Sequence, residues 1–182
     1  MIFMGSLTVT AFTTLDNVAE EPQRWTGDFF SDATGAFNEE VLAGADSMLL
    51  GRVTYDGFAA AWPSRSGDFI SDKFNAMPKH VVSTTLERAG WNNSTIIADD
   101  TPGRVRALRE RENVLVWGSP TLVRTLMAEN LVDEYVLLVS PIVLGRGKKM
   151  LPEDGTRHTL RIVEQRLLDG GMLALRMTPA AA

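Results

Sequence analysis

Asn-Val-Leu-Val-Trp-Gly-Ser-Pro-Thr-Leu-Val-Arg-Thr-Leu-Met, residues 113–127, is the stretch from which the rest of the chain is read. Val114, Leu115, Val116 and Trp117 form a short apolar run, the pattern of a strand buried on both faces. Gly118 ends that run, Ser119 is a good helix N-cap, and Pro120 suits the first helical position. Leu122, Val123, Leu126 and Met127 then recur at helical spacing, with Arg124 outside their stripe. The stretch reads as strand, glycine turn, helix. Such a glycine lets backbone approach a ligand closely, and the free N–H groups of the helix start attract an anion such as a pyrophosphate. An ordinary capped strand-to-helix turn has the same signature, so both readings stand at this point.

Bulk properties narrow the class. The 182 residues, 45% hydrophobic and 23% charged, suit one globular domain over positions 1–182 with a sizeable core. No apolar run reaches transmembrane length, and the Met1 to Met4 start lacks the charged and apolar regions of a signal peptide, so the expected location is the cytoplasm, with no membrane partner. The absence of cysteine excludes disulfides, thiol nucleophiles and cysteine metal sites, and the two histidines, His80 and His158, leave little for a metal centre; no metal is expected. A net charge of −5 argues against broad nucleic-acid binding, although a local positive spot can still hold a phosphate.

Outward from the opening stretch, the same logic recurs. Leu7 to Phe12 alternates like a first strand, and Asp16-Asn17 is turn chemistry. Ala19 to Phe30 is a long loop whose Trp25 is either a lid over a ligand or a plug over the core. Ser31 or Asp32 can cap a helix through Phe37, Val41 and Leu42. Met48-Leu49-Leu50 is a second buried strand, followed by Gly51-Arg52-Val53-Thr54 and a helix through Tyr55, Phe58, Ala59 and Trp62 that Pro63 closes. Here the turn also carries a forked cation and a hydroxyl, both suited to phosphate. Lys79 to Thr85 reads as a third strand ending in hydroxyl residues, with His80 a strand-end histidine and a short helical turn around Phe74 before it. Thr95-Ile96-Ile97 is another strand, and Thr101-Pro102 opens a helix through Val105 and Leu108. After residue 127 come a strand over Val132 to Val139, the basic turn Gly145-Arg146-Gly147-Lys148-Lys149, which is either a solvated loop or a clamp by an anionic ligand, and a hairpin of Thr159 to Leu167 and Met172 to Met177 across Asp169-Gly170-Gly171. Ala180 to Ala182 are expected to fray. Strands alternating with helices, then a hairpin, indicate an α/β three-layer sandwich: a mostly parallel central sheet, helices on both faces, an antiparallel C-terminal edge. Ligands of such sheets bind beyond the carboxyl ends of the strands, where Gly51, Ser83 and Gly118 all fall.

Neither G-x-G-x-x-G after a first strand nor G-x-S-x-G is present. Instead Leu-Leu-Gly-Arg-Val-Thr-Tyr (49–55), Val-Val-Ser-Thr-Thr-Leu (81–86), Trp-Gly-Ser-Pro-Thr-Leu-Val (117–123) and Pro-Ile-Val-Leu-Gly-Arg-Gly-Lys (141–148) follow in order. In these motifs the chain resembles the dihydrofolate reductase-like superfamily, and more closely the branch related to the C-terminal reductase domain of the bifunctional riboflavin-biosynthesis deaminase/reductase. The resemblance runs from about Leu7 to Met177. It implies the dihydrofolate reductase-like fold and NADPH, with Gly51, Arg52, Val53 and Thr54 at a phosphate, Ser83 and Thr84 by the adenosine 2′-phosphate with Arg52 near, and Gly118, Ser119, Pro120, Thr121 and Leu122 along the pyrophosphate and nicotinamide.

The resemblance also implies hydride transfer to a small heteroaromatic acceptor, pteridine-like or like a riboflavin-pathway pyrimidine. Two carboxylates are the catalytic candidates. Asp32 lies where dihydrofolate reductases anchor the pterin, and is equally a helix cap; Asp16 resembles the aspartate after the family's first strand, and equally serves a turn. Asn17 departs from the family's Asp-Gly, and the Trp-x-Leu-Pro-like loop of dihydrofolate reductases is not visible, which argues against folate. No zinc-deaminase sequence precedes the domain, so the complete bifunctional enzyme is not expected. Thr10, Phe12, Trp25, Phe58 and Trp62 are candidates for the acceptor pocket, Phe58 and Trp62 having also the spacing of a core stripe. The alternatives are a non-catalytic NADPH- or nucleotide-binding regulatory protein and a purely structural module. A homodimer is expected in each case.

Overall fold

The alternation Leu7, Val9, Ala11 against Thr8, Thr10, Phe12 starts the architecture, because both sets are covered: the first strand, β1 (Ser6–Thr14), runs through the middle of the sheet. The structure is a computed structural model that describes residues 4–180. Residues 1–3 and 181–182, and with them most of both terminal expectations, lie outside the described residues. After β1 come α1 (Asp32–Ala43), β2 (Ser47–Gly51), α2 (Arg52–Ala61), α3 (Phe69–Ala76), β3 (Lys79–Val82), β4 (Ser94–Ile97), α4 (Thr101–Arg109), β5 (Asn113–Trp117), α5 (Pro120–Ala128), β6 (Glu134–Ser140), β7 (Leu160–Leu167) and β8 (Leu173–Pro179). They build one eight-stranded sheet in the order β4-β3-β2-β5-β1-β6-β8-β7. The pairings from β4 through β6 are parallel, and β8 is antiparallel to both β6 and β7.

The opening stretch sits at the centre of this order. Val116 of β5 is in register with Leu49 of β2 on one side and Val9 of β1 on the other, and all three are fully buried. Val114 and Val116 face a core layer with Val105 and Leu108 of α4 and Leu122, Val123, Leu126 and Met127 of α5. Leu115 faces the opposite layer, with Phe37, Val41 and Leu42 of α1, Tyr55 of α2 and Phe74 of α3. The apolar run is therefore buried on both faces, and the molecule is a three-layer α/β sandwich.

The path of the chain creates the cleft. α1, which carries the chain from β1 to β2, packs on one face, and α5, which carries it from β5 to β6, packs on the other. Connections that diverge to opposite faces leave a crevice beyond the carboxyl ends of the strands between them.

Local differences from the sequence reading have local causes. Ser31, and not Asp32, caps α1: its Oγ accepts from Thr34 N at 3.3 Å while Thr34 Oγ1 accepts from Ser31 N at 3.2 Å. Around Phe74 there is a full helix, because the Asp68 carboxylate accepts from Ser71 N at 2.9 Å and caps it. β3 ends at Val82 rather than Thr85, since Ser83 Oγ accepts from Thr85 N and Leu86 N at 3.2 and 3.0 Å and folds the chain into a turn.

Candidate functional site

Gly51 ends β2, and Ser83 and Gly118 follow the neighbouring parallel strands β3 and β5, so the three turns open on one edge of the sheet, and the side chains there touch. Gly118, at φ 63°, donates its N–H to Thr10 O at 2.9 Å. Ser119 Oγ accepts from Gly51 N at 2.7 Å and donates to Thr54 Oγ1 at 2.9 Å, joining the start of α5 to the start of α2. Ser119 therefore corrects the sequence reading: its side chain makes no cap bond to its own helix, and α2 likewise has no side-chain cap. The free amides of the two helix starts, from Arg52 onward in α2 and, since Pro120 has no N–H, from Thr121 onward in α5, carry the partial positive charge of a helix start.

Arg52 supplies the formal charge. Its Nε donates to Asp56 Oδ2 at 2.7 Å and its Nη1 to Thr85 Oγ1 at 3.4 Å, which lays the guanidinium alongside the Ser83–Thr85 turn. Thr84 is exposed on that turn, and Thr85, one of the strand-end hydroxyls but not among the residues expected at the phosphate, is the one that meets the arginine. Val53 and Thr121 point to solvent and Leu122 is buried in the core, so these three offer backbone amides rather than side chains to the cleft. Pro120 occupies the first turn of α5.

On the α1 and α2 side of the sheet, half-buried aromatic rings line the same edge. Phe58 stands 6.2 Å from both Trp62 and Trp117, ring centre to ring centre, and Phe74 lies behind them at 5.4, 4.8 and 5.3 Å from Phe58, Trp62 and Trp117. Phe12 stands 6.3 Å from Phe30. Thr10 is buried beneath, where its side chain offers no open surface. Trp25 takes the plug alternative: it is buried and its Nε1 donates to Glu20 O at 3.0 Å. Asp32 stands exposed at the first position of α1.

Asp16 has a different occupation from the catalytic one expected. Its carboxylate accepts from Thr14 Oγ1 at 2.6 Å, Gly145 N at 2.8 Å and Leu144 N at 3.2 Å, and Lys149 Nζ lies 3.6 Å away. The Thr14 hydroxyl, followed by the two amides, holds its carboxyl well below the usual carboxylate range, so it stays an anion and is unsuited to deliver a proton at neutral pH. The basic turn 145–149 is thereby stapled to residues 16–20, with Lys148 O also accepting from Ala19 N at 2.9 Å. A separate hollow of about 1030 Å³ lies on the flank between α2, α3 and residues 86–92 and meets the cleft at Asp56 and Leu86. The convergent polar groups lie in the cleft and not in this hollow.

The family model described as RibD C-terminal domain matches residues 6–174, nearly the whole chain. The chain belongs to that family. Among curated proteins it is 26% identical over 136 residues to the Uncharacterized protein YyaP of Bacillus subtilis (strain 168), covering 71% of this chain and 72% of that one. In fold it is similar to a putative riboflavin biosynthesis protein from Shewanella sp. PV-4, at a TM-score of 0.76 and 17% identity, over 97% of this chain and 99% of the other. It is also similar to dihydrofolate reductase from Enterococcus faecalis complexed with NADP(H), at a TM-score of 0.61 and 12% identity, over 98% of each chain. This RibD C-terminal domain accordingly has the dihydrofolate reductase-like fold read from its motifs.

Two features of the RibD C-terminal domain were out of reach of sequence reading. Trp117 ends β5 as its apolar run predicts, and its place in the half-buried aromatic wall depends on rings from α2 and α3. The Ser119 contacts to Gly51 and Thr54 span 68 and 65 residues, and no local pattern announces them.

Proposed function

We propose that this chain is an NADPH-dependent reductase that transfers hydride to a small heteroaromatic acceptor, pteridine-like or like a riboflavin-pathway pyrimidine. The observation that carries the proposal is the convergence of residues 51–54, 83–85 and 118–119 on one edge of the sheet through direct hydrogen bonds. The donor set fits a phosphorylated dinucleotide. Two uncapped helix starts suit a pyrophosphate, while a guanidinium beside hydroxyls suits a 2′-phosphate. Gly118 keeps the approach open, since a Cβ there would stand 3.7 Å from Thr54 Oγ1.

In this reading Arg52, Val53, Thr54, Ser119, Thr121 and Leu122 would hold the pyrophosphate through backbone amides, with Gly51, Gly118 and Pro120 shaping the turns that present them, and Arg52 with Ser83, Thr84 and Thr85 would hold the 2′-phosphate. NADPH held there would supply a hydride, two electrons with one hydrogen, and reduction of the acceptor would need one further proton, which solvent can provide. Phe12, Phe58, Trp62 and Trp117 exclude water and stack the acceptor ring. Asp32, exposed at the start of α1, is the carboxylate assigned to accept from the acceptor's ring N–H groups. NADPH fluorescence is expected to change saturably on titration; no saturation by about 1 mM, the upper end of usual enzyme affinities, would end the proposal.

A second reading, a nucleotide-binding regulatory protein without turnover, is favoured by one observation: of the two carboxylates expected to be catalytic, Asp16 is engaged in holding the 144–145 backbone. NADPH oxidation with any member of a panel of pterins and aminopyrimidines rejects it. No helix of the described residues is long and apolar enough to cross a membrane, and the proposed setting is the cytoplasm. We further infer a homodimer through β7, an edge strand whose Ile162, Val163 and Leu167 are 56%, 48% and 78% exposed. Light scattering is expected to give twice the chain mass, and a monomer mass removes the idea.

A further inference from the structure

Ser119 stands in the left-handed region, at φ 57° and ψ 68°. Glycine adopts that conformation freely, whereas a side chain there is strained. A serine held in this way and buried to 8% exposure has a use for its hydroxyl, and the contacts define it. Ser119 Oγ accepts the Gly51 N–H at 2.7 Å, so its own proton is directed elsewhere, onto Thr54 Oγ1 at 2.9 Å. That bond occupies Thr54 Oγ1 as an acceptor. Among the described residues no group takes the proton of Thr54, and Gly118, without a Cβ, leaves the space in front of that oxygen open.

We infer that Ser119 is a positioning residue which, through the one-way chain Gly51 N–H to Ser119 O–H to Thr54 O–H, presents the Thr54 hydroxyl to the cleft as a proton donor for a pyrophosphate oxygen. The inference rests on the cofactor reading above and deepens it. Ser119 acts through Thr54 and at the same time sets the spacing of the two helix starts. Direction is the essential feature. A threonine hydroxyl left to itself at the third position of a helix rotates to whichever partner is available, and can present a lone pair, which repels an anion, as readily as a proton. Fixing its acceptor side removes that alternative, and hydrogen bonds in such a chain polarise one another. The closest packing of the cleft agrees with this role. A Cβ on Gly51 would stand 2.9 Å from Ser119 Oγ, so the glycine is what lets the serine reach its place.

The test uses Ser119→Ala, Ser119→Gly, Thr54→Val and the double variant Ser119→Ala/Thr54→Val, titrated with NADPH and, separately, with inorganic pyrophosphate, with thermal unfolding measured on each. Ser119→Ala and Thr54→Val are each expected to weaken binding about tenfold, the effect of one charge-assisted hydrogen bond, and the double variant is expected to stay within about twofold of Thr54→Val alone. Ser119→Gly is expected to weaken binding in the same way while its unfolding temperature holds or rises, because backbone strain is relieved. A purely structural serine would instead lower binding and unfolding temperature together. Additive losses in the double variant, or unchanged affinity in Ser119→Ala, overturn the inference. Pyrophosphate binding that depends on Ser119 in a protein that does not bind NADPH retains the inference and removes the cofactor reading; failure of wild-type protein to bind either probe overturns both.

Discussion

Replacing Arg52 by alanine is expected to weaken NADPH binding by about ten- to a hundredfold, the range for losing hydrogen bonds from a charged donor, and to leave NADH within about twofold. The difference between the two cofactors is one phosphate on the adenosine ribose, so the ratio of their affinities isolates the group that grips it. Arg52 is placed for this by its neighbours, with Nε held by Asp56 at 2.7 Å and Nη1 by Thr85 at 3.4 Å. Because the guanidinium is 40% exposed, its attraction for phosphate is partly screened, and the NADPH preference is expected to shrink as salt is added. Fluorescence titration of both cofactors at low and high salt is the measurement. Equal weakening of NADPH and NADH by Arg52→Ala would place the 2′-phosphate elsewhere.

The second large effect is on stability. Phe74→Ala is expected to destabilise the fold by about 3–5 kcal/mol, as large aromatic truncations in a core do. Phe74 is 1% exposed and stands behind Phe58, Trp62 and Trp117, so its removal also loosens the wall proposed to hold the acceptor. Denaturant unfolding gives the stability, and tryptophan emission from Trp62 and Trp117 reports the wall. If Phe74→Ala does not fold, Phe74→Leu, which keeps most of the volume, is expected to lose less and still to raise the acceptor KM relative to that for NADPH. A loss near zero for either variant would mean that the rings do not depend on their backing.

Short-range periodicity carried much of this. The apolar run of β5, the helical spacing after Pro120 and the repeat of the same pattern at Gly51 are each complete within about ten residues, which is why a parallel sandwich, and the edge on which its glycine turns open, are legible in the sequence. The motifs at 49–55, 81–86, 117–123 and 141–148 likewise pointed to the family. What failed had partners far away in the chain. Asp16 stands in the turn its sequence predicts, with Asn17 left-handed beside it, but its hydrogen bonds to the 144–145 backbone cross 128 and 129 residues and make it a loop clamp, which no local pattern announces. Ser119 occupies the N-cap position that serine before Pro-Thr-Leu predicts, yet its backbone is left-handed and its hydroxyl, instead of capping α5, is engaged with Gly51 and Thr54. The helix around Phe74 was underestimated because its cap lies among surface residues and its apolar side chain carries meaning only against rings from α2 and β5.

By itself, then, the amino-acid order determined which segments are strands and helices, where the chain turns on glycine, and which ends are able to attract an anion, since each depends on neighbours a few bonds away. Tertiary structure alone decided that β5 enters between β2 and β1, and with it that the starts of α2 and α5 lie close enough to share one hydroxyl. The physical reason is that strand order is set by which buried faces fit across the whole sheet, whereas hydrogen bonding at the cleft needs placement within a fraction of an ångström, and only the assembled sheet provides it.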